Sequence, residues 1–454
     1  MYEMDTFHQV KTKEVPLTHQ QKFYCQLHQG GDSLYRMDSF VSLVCGNLDV
    51  NQLVNAMKAL VARHDALRTR ICLSDGMLLQ VVDDARVTEK DKKRIYNIQG
   101  AESDQNARAK EFIAAAAVHG NDLVGYPMFD FSVLVFSSMR HMLVISLHHL
   151  FFDGRAWEII YRDLWAFYAA FLRESPCAMP DAAQNSDYAV WQATAGRFDC
   201  ATEIPSWKER FSGAVSLQWP AFVRARNSEP PTTSSALQPF GKELSSSLRE
   251  LARTSRVLLS VEVLTAFAAV ISLWCNQNKF VVTTTTVGRD VREYWDVVGY
   301  LSYPIHLLIK AEGRQLIGEF MRSVNLEYFR ALAQRDHGAI VVSSPELMGR
   351  TLFQWFAPNT GIALPDSIKH QITVQPYHDP ERVINFPKQI DIAFFFGEND
   401  EEVSGFALFR SDMFCTENVK KFLTDVVSVS ELITSNPTQS VSTLLSNLGG
   451  RRGS

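Results

Sequence analysis

A chain of 454 residues with 46% apolar and 21% charged residues has the makeup of a globular protein with about two to three domains. Its net charge of −5 offers no basic footprint for nucleic acid. Its seven cysteines, an odd number without CxxC or histidine-rich spacing, argue against a disulfide framework or a zinc site and fit a reduced compartment.

The opening residues through Lys13 are polar and carry no signal-peptide pattern, so the expected location is the cytoplasm. Leu17-Thr18-His19-Gln20-Gln21 starts the ordered part, with Thr18 able to cap a short helix. HQGGDSL (residues 28–34) resembles a carrier protein's phosphopantetheine attachment motif, with Ser33 as the attachment residue. A carrier sets that serine at the start of a helix in its own bundle. Here strand-like RMDSFVSLVCG follows, so a Gly-Gly turn is the reading. Asp49 caps a helix with Leu53, Met57, Leu60 and Val61 on its apolar face. It ends in RHDALRT (63–69), and two strand-like runs then flank Ser74-Asp75-Gly76, a hairpin signal. Residues 107–119 read as helix, and 128–136 and 142–147 as strands.

Next comes the stretch that carries chemistry. MLVISL (142–147) is a short apolar, β-rich run. Trp157, Ile160, Leu164, Phe167, Tyr168 and Phe171 recur at helical spacing. Between strand and helix lie His148, His149, Asp153 and Gly154, the raw material of base catalysis on a short loop held by rigid elements. Adjacent histidines at a strand end point in opposite directions, which disfavours a metal site.

Beyond it, DYAVWQ (187–192) begins a short helix and residues 207–213 are helical. Residues 220–239 are rich in Pro, Ser and Thr, like a surface crossover. Helices are expected near 243–255, 257–274 and 314–335, and at 416–434. Strands are expected at 280–287, 352–358, 389–396 and 403–409. The apolar run 257–274 carries Ser260, Glu262, Thr265 and Ser272, so it reads as a buried helix rather than a membrane span.

Taken together, these stretches resemble the condensation domains of nonribosomal peptide synthetases, within the chloramphenicol-acetyltransferase-like acyltransferases. His148-His149-Leu150-Phe151-Phe152-Asp153-Gly154 matches the family's HHxxxDG. LTHQQ (17–21), RHDALRT, DYAVWQ, the block GRDVREYWDVVGYLSYPIHL (288–307) and the closing DIAFFF, FRSDMF and NP pattern (391–437) follow in family order. Heterocyclisation domains have aspartates where His148 and His149 stand, epimerisation domains an EGHGR-type block, and plant-type acyltransferases DFGWG; none is reproduced. With no adenylation, carrier or thioesterase segment present, a free-standing or excised condensation enzyme is expected.

The resemblance implies an α+β fold (an α/β sandwich): two chloramphenicol-acetyltransferase-like lobes in a V shape with a central tunnel. The lobes are expected at residues 1–180, carrying HHxxxDG, and 181–454, with linker and crossover segments. It implies a donor acyl group on the phosphopantetheine of an acyl or peptidyl carrier protein, a small-molecule or carrier-bound amine or alcohol acceptor, and no bound cofactor, metal, nucleic acid or membrane. His149 is the expected catalytic residue, as base or as the group that orients the nucleophile and stabilises the tetrahedral intermediate. His148 is expected in the core, and Asp153 as an orienting residue paired with Arg289. Gly154 is expected to allow close approach of substrate or pantetheine arm.

The departures bear on the acceptor. Tyr303 replaces the family's Asn, and Ile305-His306 its Leu-Pro, so Ser302 and Tyr303 either reshape the tunnel or reflect drift in a buried strand. Arg155 either meets an acceptor carboxylate or faces solvent at a helix start. Near His337, Ala339-Ile340 replaces a Pro-Phe pair. Two further readings stay open: a CoA-dependent acyltransferase of the same superfamily, and a non-catalytic recruitment module.

Overall fold

The computed structural model describes residues 12–27, 37–84, 94–118, 124, 128–195, 204–214, 217–220, 233–333, 351–356, 364–377, 390–399 and 401–452. They form a mixed α/β fold that divides into two compact units. The first takes Met1–Arg197, Val287–Ser302 and Gly361–Pro380; the second takes Phe198–Thr286, Tyr303–Thr360 and Glu381–Ser454. The division is thus interleaved, where the sequence suggested one cut at residue 180. Two later segments return to the first unit, and one of them brings Arg289. Ser33, His337 and Ala339-Ile340 lie outside the described residues.

The first unit is built on a five-stranded sheet in the order Ile372–Pro376, Met37–Gly46, Arg140–His148, Phe129–Ser137, Ile95–Asn97. Its central strand Arg140–His148 is buried from residue 141 onward, so it lacks the polar alternation of a half-exposed strand. The period of two survives in where its side chains go. Leu143, Ile145 and Leu147 join the core beneath helices Val50–Arg63 and Gly154–Leu172. Met142 and Val144 turn to the opposite face, against Ala109 and Ile113 of helix Glu102–Val118. That helix begins five residues before the expected 107, with Glu102 and Asp104 in its first turn. A three-stranded sheet adds Lys13–Pro16, Met77–Val82 and Thr69–Ser74. Its hairpin turns on Asp75 (φ 50°) and Gly76 (φ 77°), the doubly left-handed geometry of a two-residue loop.

The second unit has a six-stranded sheet in the order Tyr303–Lys310, Lys279–Thr286, Thr351–Phe356, Ile392–Asn399, Glu402–Arg410, Thr233–Pro239. The last strand falls in the stretch read as a crossover: residues 233–239 pair antiparallel with 404–410, and 221–232 lie outside the described residues. Helix Leu259–Cys275 is buried on nearly every side, which is why its sequence is apolar all round. Phe267 packs against Phe353, Phe394, Phe396 and Phe422, so much of the chain's phenylalanine serves this core. No single helix among the described residues is long and apolar enough to cross a membrane.

Candidate active site

The HHxxxDG loop leaves the sheet at His148 and enters helix Gly154–Leu172 after one short turn, His149–Phe151. Strand pleat sends the two histidines apart. His148 is fully buried, and its Nδ1 accepts the Leu150 N–H at 3.2 Å, which puts the proton of the neutral ring on Nε2. His149 keeps 41% of its side chain exposed. Its ring is walled by Tyr24 (centroids 5.8 Å), Phe152 (4.9 Å, edge-on) and Tyr300 (5.3 Å). Its Nδ1 is shut off from solvent, has no hydrogen bond among the described residues and lies 3.5 Å from Asp38 Oδ2.

Asp153 does not reach toward His149. Its Oδ1 caps the helix by accepting the Ala156 N–H at 2.9 Å. Its Oδ2 accepts from Arg289 Nη1 (2.8 Å), the amides of Leu301 and Ser302 (2.9 and 3.1 Å) and the Ser302 hydroxyl (3.2 Å). Arg289 also donates to the carbonyls of Val287 and Val297. One carboxylate therefore ties the start of the helix to both ends of the segment Val287–Ser302. That segment carries Tyr300 to the wall of His149. Burial, and after it the Asp153 carboxylate, push the Tyr300 phenol above its ordinary range, so its hydroxyl is protonated at neutral pH.

The other motifs brace this loop. Thr18 Oγ1 accepts the Gln21 N–H and Gln21 Oε1 accepts the Thr18 N–H, a reciprocal capping box for helix His19–Leu27, which holds Tyr24. Gln21 Nε2 donates to the Leu150 carbonyl inside the loop, and Gln20 Nε2 to the Leu301 carbonyl. In RHDALRT, Arg63 Nε and His64 Nε2 each lie 2.9 Å from the buried Asp163 of the loop's helix. Asp65 accepts the amides of Asn185 and Ser186, capping from a distance the helix that holds DYAVWQ.

Of the residues singled out in the sequence, His148, His149, Asp153, Gly154, Arg289 and Ser302 lie in this neighbourhood. Ser302 donates to Asp153 through its amide and its hydroxyl. Tyr303 is buried and opens strand Tyr303–Lys310 of the second unit. Arg155 stands one-third exposed at the helix start, where its guanidinium pairs with Glu158 (2.7 Å) and Asp296 (3.2 Å). Asp38, Tyr24 and Tyr300 were not singled out. Asp38 pairs with Leu147 across the sheet, a register that no local pattern announces.

A family model described as a condensation domain matches residues 11–448. Surfactin synthase subunit 2 of Bacillus subtilis (strain 168) is 24% identical over 423 residues, 90% of this chain and 11% of that protein. Tyrocidine synthase 2 of Brevibacillus parabrevis is 25% identical over 430 residues, 92% of this chain and again 11% of the relative. The chain spans between 6% and 12% of the length of such relatives. Among solved structures, the SgcC5 protein from Streptomyces globisporus has the same fold, with a TM-score of 0.73 at 20% identity over 94% of this chain and 100% of that one.

Proposed function

The chain belongs to the condensation-domain family, and from that membership we propose that it moves an acyl group from a phosphopantetheine thioester on a carrier protein to an amine or hydroxyl acceptor. The observation that carries this reading is His149: a half-exposed imidazole in an aromatic wall, on a loop fixed by buried hydrogen bonds. A thioester is already activated, so positioning the nucleophile and moving one proton is the work left to the protein. His149 Nε2 accepts the acceptor's proton as its nitrogen or oxygen bonds to the thioester carbon. The carbon–sulfur bond then breaks, and His149 returns the proton to the leaving sulfur. No bound cofactor is needed for this step. The cytoplasm, where thiols stay reduced, suits a thioester substrate and the spacing of the cysteines.

Both acceptor classes stay in the proposal. The test is product formation from a panel of acyl-pantetheine and carrier-loaded donors with pooled amines and alcohols, read by mass spectrometry for wild type and His149→Ala. A product that vanishes in the variant supports the reading, and its mass separates amide from ester. Carrier binding without any His149-dependent product would point to a recruitment module.

A further inference from the structure

His149 has a carboxylate neighbour, and it is not the one in its own motif. Every acceptor interaction of Asp153 described above goes to the helix cap, to Arg289 or to residues 301–302. Asp38 comes instead from strand Met37–Gly46, one strand over, and its Oδ2 lies 3.5 Å from His149 Nδ1. Nδ1 is closed to solvent although 41% of the side chain is exposed, so the open side of the ring is elsewhere. A neutral imidazole with its proton on Nδ1 would turn that proton toward the carboxylate and leave the Nε2 lone pair free to accept. The separation is longer than a good hydrogen bond, as pairs without substrate often are, and would tighten once the ring is charged.

We propose that Asp38 is the positioning residue of His149: its carboxylate selects the Nδ1–H tautomer and steadies the imidazolium formed during acyl transfer. The proton taken from the acceptor resides on Nε2 and leaves on the thiol sulfur. No proton passes to Asp38, as none passes to the orienting carboxylate in hydrolase triads. Its catalytic part rests on the acyl-transfer reading; the tautomer part does not.

The test uses the full chain labelled with 15N-histidine, with His149→Ala to assign the His149 resonances. Wild type is expected to show the Nδ1–H pattern. Asp38→Asn is expected to show Nε2–H, because an amide NH2 turned to Nδ1 makes that nitrogen an acceptor. With a productive donor and acceptor, Asp38→Asn should lower kcat by about 10–100-fold, the range for lost orienting partners, at little change in KM. Asp38→Glu should restore part of both the tautomer and the rate. An unchanged tautomer in both folded Asp38→Asn and folded Asp38→Ala, which has no oxygen to accept from Nδ1–H, overturns the proposal, and so does an unchanged kcat. If wild type makes no His149-dependent product, the acyl-transfer reading falls, while the tautomer still decides whether Asp38 orients His149.

Discussion

Arg289 Nη1 lies 2.8 Å from Asp153 Oδ2, and both side chains are almost wholly out of solvent, at 2% and 3% exposure. A buried ion pair adds little net stability over an apolar replacement, but removing one member strands the other. Asp153→Ala strips the Arg289 guanidinium of its counter-charge and the Leu301 and Ser302 amides of their acceptor. Arg289→Ala leaves a buried carboxylate without its cation. Each single variant should lose about 3–5 kcal/mol in urea unfolding, and the double variant less than the sum of the two. Additive losses would mean the residues stabilise the fold independently.

Gly288 precedes that arginine at φ +65°, and a Cβ there would lie 1.7 Å from the Leu301 carbonyl oxygen. Backbone contacts that close do not relax by a side-chain rotation. Gly288→Ala should therefore displace the segment that carries Arg289 and Tyr300, lowering both Tm and product formation. Gly241→Ala is the control. It too has a positive φ, +83°, with ψ 150°, but among the described residues its Cβ meets nothing within 4 Å, so it carries only the backbone strain of about 1–3 kcal/mol. Equal losses in the two variants would remove the steric argument.

Local signals account for what the sequence shows of this site. The apolar run 142–147, the aromatic spacing from Trp157 to Phe171, and Asp49 and Thr18 as caps each act within a few residues. The pairing of Asp153 with Arg289 is implied by the family resemblance, not by any local pattern. Distant partners have no such signature. Gln21 meets Leu150 only once two elements pack, and Asp38 meets His149 only through the register of two strands. Tyr300 stands at a variable position of its motif, so comparison with the family passes over it. Strands of three to five residues, such as Ile95–Asn97 and Ile372–Pro376, are too short to show a period. The second of these pairs with strand Met37–Gly46.

Gly154 separates a folding role from a functional one. It is the first residue of the helix capped by Asp153, its φ is not left-handed, and an added Cβ meets no protein atom within 4 Å. Alanine is also the better helix former by about 1 kcal/mol in a helix interior. Gly154→Ala should thus unfold at the same or slightly higher urea concentration. If the space over residue 154 serves the pantetheine arm, the same variant should raise KM for the carrier-bound donor. Unchanged kinetics would show that nothing passes there.

Glu262 gives the second unit a pH dependence. It is fully buried in helix Leu259–Cys275, neither carboxylate oxygen has a hydrogen-bond partner among the described residues, and burial pushes its pKa up to about 8. In the unfolded chain a glutamate titrates near ~4.3. Below that value both states hold the proton and the group adds no pH dependence. Between it and about 8 the folded state keeps a proton that the unfolded state has released, so stability falls as pH rises. Above about 8 the folded carboxyl ionises as well, and the slope ends. Glu262→Gln keeps the shape and removes the titration. Urea unfolding at intervals from pH 5 to 8 should show wild type losing stability relative to the variant, by on the order of a few kcal/mol across the range. Parallel profiles would mean that the carboxyl finds water or a partner as it ionises.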